Sequence, residues 1–214
     1  MSTKIFFDMD GVLVDFGAGA VEAINGLLMA GDTSSKAIRR LVNYEGPDKE
    51  EITVDSVEAG IQKKDAKLPR TKWEKRVADA VFSVVGKGGH SYWSSLPAVP
   101  NFHAMIDAAI DLVGSENVYV CTAPVGGLGG GCESGKRAWV ATNTDIYAEN
   151  VFVTEDKAGT VAQFPGDTCI LIDDRKKYCD QWRAGGGIAI RHTTGDSNSS
   201  ISQMELIVNS NLTE

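Results

Sequence analysis

A chain of 214 residues is a little longer than one typical domain, which leaves room for a sizeable core and a modest insertion. Its 43% hydrophobic and 23% charged residues are ordinary globular usage and exclude wholesale disorder, collagen and coiled coil. A formal net charge of −8 argues against a broad duplex nucleic-acid footprint, so an anionic ligand needs local positive charge.

The N-terminal MSTKIFFDMDG runs straight into a strand-like segment, Lys4 to Asp8, without the charged-then-apolar pattern of a signal peptide. No stretch approaches the roughly 18 apolar residues of a membrane span, so the expectation is a cytoplasmic protein that engages no membrane. From Phe16 to Pro100 the pattern is helical, with helices expected over Ala18 to Ala30, Ser34 to Val42, Val54 to Lys63 and Thr71 to Val85. Pro97 and Pro100 mark the return to strand-forming sequence. Further short apolar runs then follow at Asn117 to Thr122, Asn150 to Thr154, Thr168 to Asp173 and Gly187 to Arg191. Helical stretches separate or follow them: Phe102 to Val113, Lys136 to Thr142, Lys176 to Ala184 and Ser200 to Val208. Runs apolar on both faces suit parallel strands covered by helices, so the expected fold is α/β. Its core comprises residues 1–15 and 101–214, with a helical cap over 16–100 inserted after the first strand. The cysteines Cys121, Cys132, Cys169 and Cys179 show no CxxC pairing and are read as reduced. Gly126 to Gly131 and Thr193 to Ser200 are the biased segments, the second expected as a surface loop before a terminal helix.

Asp8-Met9-Asp10-Gly11-Val12-Leu13-Val14-Asp15 stands at the end of the first strand. In a parallel sheet the carboxyl ends of the strands face the ligand crevice, so Asp8 and Asp10 arrive where substrates bind. Two carboxylates this close repel unless a cation or a shared proton intervenes, which suits one ionised and one protonated acid. Asp173 and Asp174 end another apolar run. Alone, either pair also fits a solvated polar turn. Thr122 ends the second strand, where its hydroxyl and the following amides can donate to a phosphoryl oxygen.

DMDGVLVD, the strand-end Thr122, a following lysine and the CILIDDR segment resemble, in order, the four signatures of the haloacid dehalogenase-like phosphohydrolases. More closely, DMDGVLVDF, Thr122-Ala123-Pro124, Gly135-Lys136-Arg137-Ala138-Trp139-Val140, Thr154-Glu155-Asp156-Lys157 and LIDDR resemble segments of the 5'(3')-deoxyribonucleotidases, which usually carry Ser where Ala123 stands. The resemblance covers essentially the whole chain and implies a Rossmann-like parallel core with a cap that selects the leaving group. It implies Asp8 as nucleophile, Asp10 as general acid and base, and Mg²⁺ held by Asp8, the Asp10 main-chain carbonyl and one of Asp173 and Asp174, with Asp174 favoured as the direct ligand. Thr122, Ala123, Lys136 and Lys157 are then expected around the phosphate. Lys157, in the loop leaving the third strand, ranks first for steadying Asp8; Lys136, opening a helix, is expected as a second phosphate contact. Phe16, at the start of the cap, is the expected aromatic partner of the leaving group, ahead of Trp73, Phe82, Tyr92 and Trp93.

The expected partner is therefore a small phosphomonoester, a deoxyribonucleoside monophosphate first, with a sugar or glycolate phosphate as the alternative and a non-catalytic phosphate-binding protein as a third reading. A homodimer is compatible with the sequence. Gly130 to Arg137 nearly spells a P-loop, but Arg137 stands where Ser or Thr should hold Mg²⁺. No GxSxG elbow occurs, and His90, His103 and His192 lack zinc spacing.

Overall fold

The computed structural model describes residues 2–65, 67–125 and 130–211. β1 (Thr3–Phe7), β2 (Val118–Thr122), β3 (Val151–Val153), β4 (Thr168–Asp173) and β5 (Ile188–Arg191) form a five-stranded sheet in the order β3-β2-β1-β4-β5. Every pairing is parallel, and Phe7 sits opposite Val120 on one side and Ile172 on the other. The chain builds outward from β1 through β2 to β3, then crosses back to β4 and β5, so the direction of winding reverses beside β1. Ligand crevices of doubly wound sheets lie at such a reversal, outside the carboxyl ends of the strands.

Strand alternation divides the core between the two faces of the sheet. Ile5, Phe7, Val118, Val120, Ile170 and Ile172 pack with Phe102, Met105 and Ile106 of α5 (Phe102–Val113) and Met204 and Val208 of α9 (Ser197–Asn211). Phe6, Tyr119, Cys121, Cys169 and Leu171 pack on the other face against Val161 of α7 (Lys157–Val161) and Cys179 and Trp182 of α8 (Lys176–Ala184). All four cysteines are buried free thiols. Among the described residues no helix is long and apolar enough to cross a membrane.

Between β1 and α5 stand the helices of the cap: α1 (Phe16–Met29), α2 (Lys36–Val42), α3 (Val54–Asp65) and α4 (Lys72–Ser94). Asp15 caps α1 by accepting the Ala18 N–H at 2.8 Å, and Thr71 and Glu74 form a reciprocal capping box on α4. α4 outlasts its expected end at Val85, with a break at Gly89, because Trp93 beyond the break is fully buried. α6 (Gly130–Asn143) begins six residues before the expected Lys136. Glycine's poor helix propensity hid that start. Packing explains it, since a Cβ on Gly135 would lie 2.5 Å from Trp93 Cβ, and one on Gly131 would lie 2.9 Å from the His90 nitrogen. Only glycines at these two positions, one helical turn apart, let α6 lie this close to α4. Gly126 to Gly129 lie outside the described residues, whereas Gly130 to Arg137 are helical and form no phosphate-cradling loop.

The turn after β1 is tightly wound. Val12, Leu13 and Val14 all donate to the Met9 carbonyl, and Gly11 N–H donates to Val14 O at 2.8 Å. Val14 then bridges Ala98, while Asp15 N–H donates to Pro97 O at 2.8 Å, so the outgoing and returning cap connections are bonded side by side. Gly11 has φ +81°, and a Cβ there would sit 2.8 Å from Asp174 Oδ2. Gly11→Ala is expected to cost about 1–2 kcal/mol in left-handed backbone strain, with further loss from displacing Asp174. A thermal melt checks this, at about 2–4 °C per kcal/mol for a chain of this size; an unchanged Tm would show that the turn accepts a side chain.

Candidate active site

Two neighbouring strands, β1 and β4, bring the acids together. Asp8 leaves β1 with its N–H donating to Ile172 O at 2.8 Å, which sets it level with Asp173 at the end of β4. Lys157 Nζ, fully buried, donates to Asp8 Oδ1 at 2.8 Å and to Asp173 Oδ2 at 2.6 Å. The other Asp173 oxygen accepts the Arg175 N–H at 2.8 Å, so both of its oxygens are committed within the protein. On the β2 side Lys136 Nζ, also fully buried, donates to Asp10 Oδ2 at 2.7 Å, Thr122 Oγ1 at 2.9 Å and Ala123 O at 2.9 Å.

These placements correct two expectations. Lys136 does not open a helix: α6 starts at Gly130, and all three ammonium hydrogens have protein acceptors, so Lys136 organises Asp10 and Thr122 and is not positioned as a second phosphate contact. Lys157 is not in a loop: it begins α7, capped by Asp156, whose side chain accepts the Gly159 N–H at 2.9 Å. An Asp before a short helical run was the available cue.

Four carboxylates (Asp8, Asp10, Asp173, Asp174) thus face two ammonium groups. Burial, then the charges of Asp8, Asp173 and Asp10, hold the Asp174 carboxyl well above the usual range. Burial and then Asp8 push Asp173 up to about 7, against the pull of Lys157. Asp10 is raised chiefly by burial, with Lys136 opposing. For Lys157 burial alone would favour loss of the proton, but Asp8 and Asp173 outweigh it and its pKa is raised. Asp8, Asp173 and Asp174 each offer a carboxylate oxygen, all within 4.8 Å of one another. Asp174 Oδ1 and Asp10 Oδ1 are buried with no hydrogen-bond partner. Hard oxygen donors, surplus negative charge and an orphaned Asp174 oxygen fit a hard divalent cation such as Mg²⁺.

A cavity of about 860 Å³ opens over these acids. Asp8, Asp10, Ala123 and Arg175 line it from the core, and Lys36, Arg40, Lys64, Asp79 and Phe82 line it from the cap. Phe16 is not among the lining side chains. Its ring stacks on Trp93 at 5.8 Å and meets Tyr92 edge-on at 6.5 Å, and the Trp93 ring in turn lies 4.8 Å from Lys136 Nζ. Trp73 is buried and stacks on Tyr44 at 6.0 Å, leaving Phe82 as the cap aromatic at the cavity. Sequence reading passed over the cap cations, although Lys36 and Arg40 are four apart on one helix face. It also passed over Tyr178, whose ring carries Lys157 Nζ at 4.7 Å. The polar loop after β5 reaches the site too: Thr194 Oγ1 donates to Gly11 O at 2.8 Å, and α9 already starts at Ser197, ahead of the expected Ser200.

Fold and site together define a parallel α/β protein with a strand-end cluster of carboxylates and buried lysines beneath a helical cap. No protein-family model matches the chain, and no curated protein matches it. Among solved structures it is similar to a hydrolase from Streptococcus pneumoniae TIGR4, at 11% identity over 98% of this chain and 100% of that one, TM-score 0.49. It is also similar to a HAD family hydrolase from Deinococcus radiodurans R1 with bound phosphate and sodium, at 15% identity over 94% and 87% of the two chains, TM-score 0.46. A third is a HAD family enzyme from Bacteroides thetaiotaomicron in complex with magnesium and inorganic phosphate, at 12% identity over 92% and 96%, TM-score 0.45.

Proposed function

We propose that the protein is a Mg²⁺-dependent phosphomonoesterase of the haloacid dehalogenase-like type that works through an aspartyl phosphate on Asp8. The observation that carries this reading is the division of labour between two neighbouring acids. Asp8 is held by Lys157, whose pKa Asp8 and Asp173 raise, while Asp10 has a raised pKa and an unpartnered Oδ1. An Asp8 carboxylate oxygen forms the bond to phosphorus as the bond from phosphorus to the leaving oxygen breaks. The proton on Asp10 passes to that oxygen; Asp10 then takes a proton from the water that attacks phosphorus, which releases phosphate and restores Asp8. Thr122, fixed through Lys136, orients the phosphoryl group with its hydroxyl, and Lys157 holds Asp8 in place through Oδ1. Asp8, the Asp10 carbonyl and Asp174 are the residues that would hold Mg²⁺, with Asp173 behind them. When bound, the cation offsets the charge of the phosphoryl oxygens and of the acids.

The finer reading is a 5'-nucleotidase acting on deoxyribonucleoside monophosphates. Phe82 at the cavity supports it, as an aromatic face for a base, and so does a cavity volume within the range of nucleotide-sized ligands. A panel of thymidine, deoxyuridine and ribonucleoside monophosphates, sugar phosphates, phosphoglycolate and p-nitrophenyl phosphate, each with Mg²⁺ and with excess chelator, tests both levels. Full activity in chelator refutes the metal's role, and a sugar phosphate at the top of the panel replaces the nucleotidase reading. Asp10→Asn should lower kcat by about 10²–10⁴ on alkyl phosphates, the usual worth of general acid catalysis, and less on p-nitrophenyl phosphate, whose leaving group needs little protonation. Equal losses on both would remove the acid role from Asp10.

A further inference from the structure

The charges around the cavity are segregated. Among the described residues, the core side of the lining carries Asp8, Asp10, Glu155 and Arg175, and the cap side carries Lys36, Arg40, Lys64 and Asp79. This concentration of cations stands in a chain of net charge −8. No described carboxylate lies within ion-pair distance of Lys36, Arg40 or Lys64. Elsewhere in the cap pairing does occur: Lys63 is bonded to Glu74, and Lys49 to Glu45 at 3.3 Å. Lys36 and Arg40 share one face of α2, Lys64 comes from α3 with its Nζ 4.1 Å from the Phe82 ring centre, and all three line the same cavity. The Asp8 and Asp10 carboxylates line the same cavity, whose 860 Å³ far exceeds what a single phosphoryl group fills.

We infer that Lys36, Arg40 and Lys64 form a second anion subsite, so that the preferred substrate is a phosphomonoester whose leaving group itself carries a phosphate. This rests on the phosphomonoesterase reading of Asp8. One phosphate of the substrate reaches Asp8, and the other meets the cap cations. A phosphate, with two negative charges and three acceptor oxygens, matches two ammonium groups and a guanidinium better than a carboxylate does. Phe82 and Asp79 line the same cavity, the ring to pack on the organic part and the carboxylate to accept from a hydroxyl on it. Within the nucleotidase reading such a substrate is a deoxyribonucleoside 3',5'-bisphosphate.

The test compares kcat/KM for a deoxyribonucleoside 5'-monophosphate and the 3',5'-bisphosphate of the same nucleoside, in the parent protein and in a Lys36→Gln/Arg40→Gln/Lys64→Gln variant. The parent should favour the bisphosphate at least tenfold, and the variant should lose that preference. No preference in the parent, a preference that survives the triple substitution, or a parallel fall on both substrates, which is what mere electrostatic steering gives, would each overturn the subsite. A preference for a phosphomonoester bearing a carboxylate over the bisphosphate would overturn it as a phosphate site. p-Nitrophenyl phosphate, which has no second anion, reports separately on the phosphomonoesterase reading. Should no substrate turn over, that reading fails alone. Calorimetric titration of Asp8→Asn with the two nucleotides then decides the subsite by the same tenfold criterion in Kd.

Discussion

Asp8→Asn should lower phosphomonoesterase kcat/KM by at least about 10⁴, the scale on which removal of a covalent nucleophile shows. The size of the loss follows from the surroundings. Asp8 is 3% exposed, and its Oδ1 is fixed by Lys157 Nζ at 2.8 Å, so the site supplies one oriented carboxylate oxygen with no neighbouring hydroxyl of equal reach to replace it. Thr122 is nearest in type, but its Oγ1 already accepts from Lys136 at 2.9 Å. The amide keeps the shape of the side chain and an oxygen for Lys157, while relieving the repulsion among Asp8, Asp173 and Asp174. The variant should therefore melt within a few degrees of the parent. Loss of turnover with the fold retained, together with the absence of an acid-stable phosphoprotein on rapid quench with labelled substrate, supports the assignment. Activity within tenfold of the parent sinks it.

What the sequence made legible were the residues placed by strand ends. Asp8, Thr122 and Asp173 each close an apolar run, and in a parallel sheet every such run ends on the same edge, so their convergence follows from the pattern alone. The cap was legible for a similar reason, since helical spacing filled the stretch between the first two strands. The lysines were not, because their roles depend on where α6 and α7 begin. With α6 starting at Gly130, Lys136 points from mid-helix into the acids, and the pair Gly131 and Gly135 that makes this approach possible reads in sequence as a helix breaker. The structure gives each lysine its own carboxylate, Asp10 for Lys136 and Asp8 for Lys157. Phe16 shows a different limit. Adjacency to Asp15 suggested nearness to substrate, yet side-chain direction on α1 sends the ring to Trp93, and it is Phe82, far along the chain, that reaches the cavity.

In Mg²⁺-free protein the acid cluster should make thermal stability decline as pH rises from about 4 towards 7, and Mg²⁺ should restore more of it at high pH than at low. Asp173 titrates at about 7 in the folded state, whereas an unfolded Asp titrates near 3.9. Between those values the folded state binds more protons than the unfolded one. Stability from this group is therefore fully present below the unfolded pKa and is lost as pH rises through the folded one. Asp174 and Asp10 are shifted in the same direction, chiefly by burial, and add to the effect. His192 opposes it, since burial lowers its pKa and its contribution grows with pH. The difference between melts with and without Mg²⁺ is the cleaner readout, because His192 acts on both. A cation at Asp174 competes with the proton that its raised pKa retains, so the Mg²⁺-induced rise in Tm should be small at pH 5 and larger by several degrees at pH 8. Each pKa unit is worth about 1.4 kcal/mol, or about 3–6 °C for a chain this long. A Mg²⁺ effect that is flat across that range, or largest at pH 5, would show that the cluster is not where the cation binds.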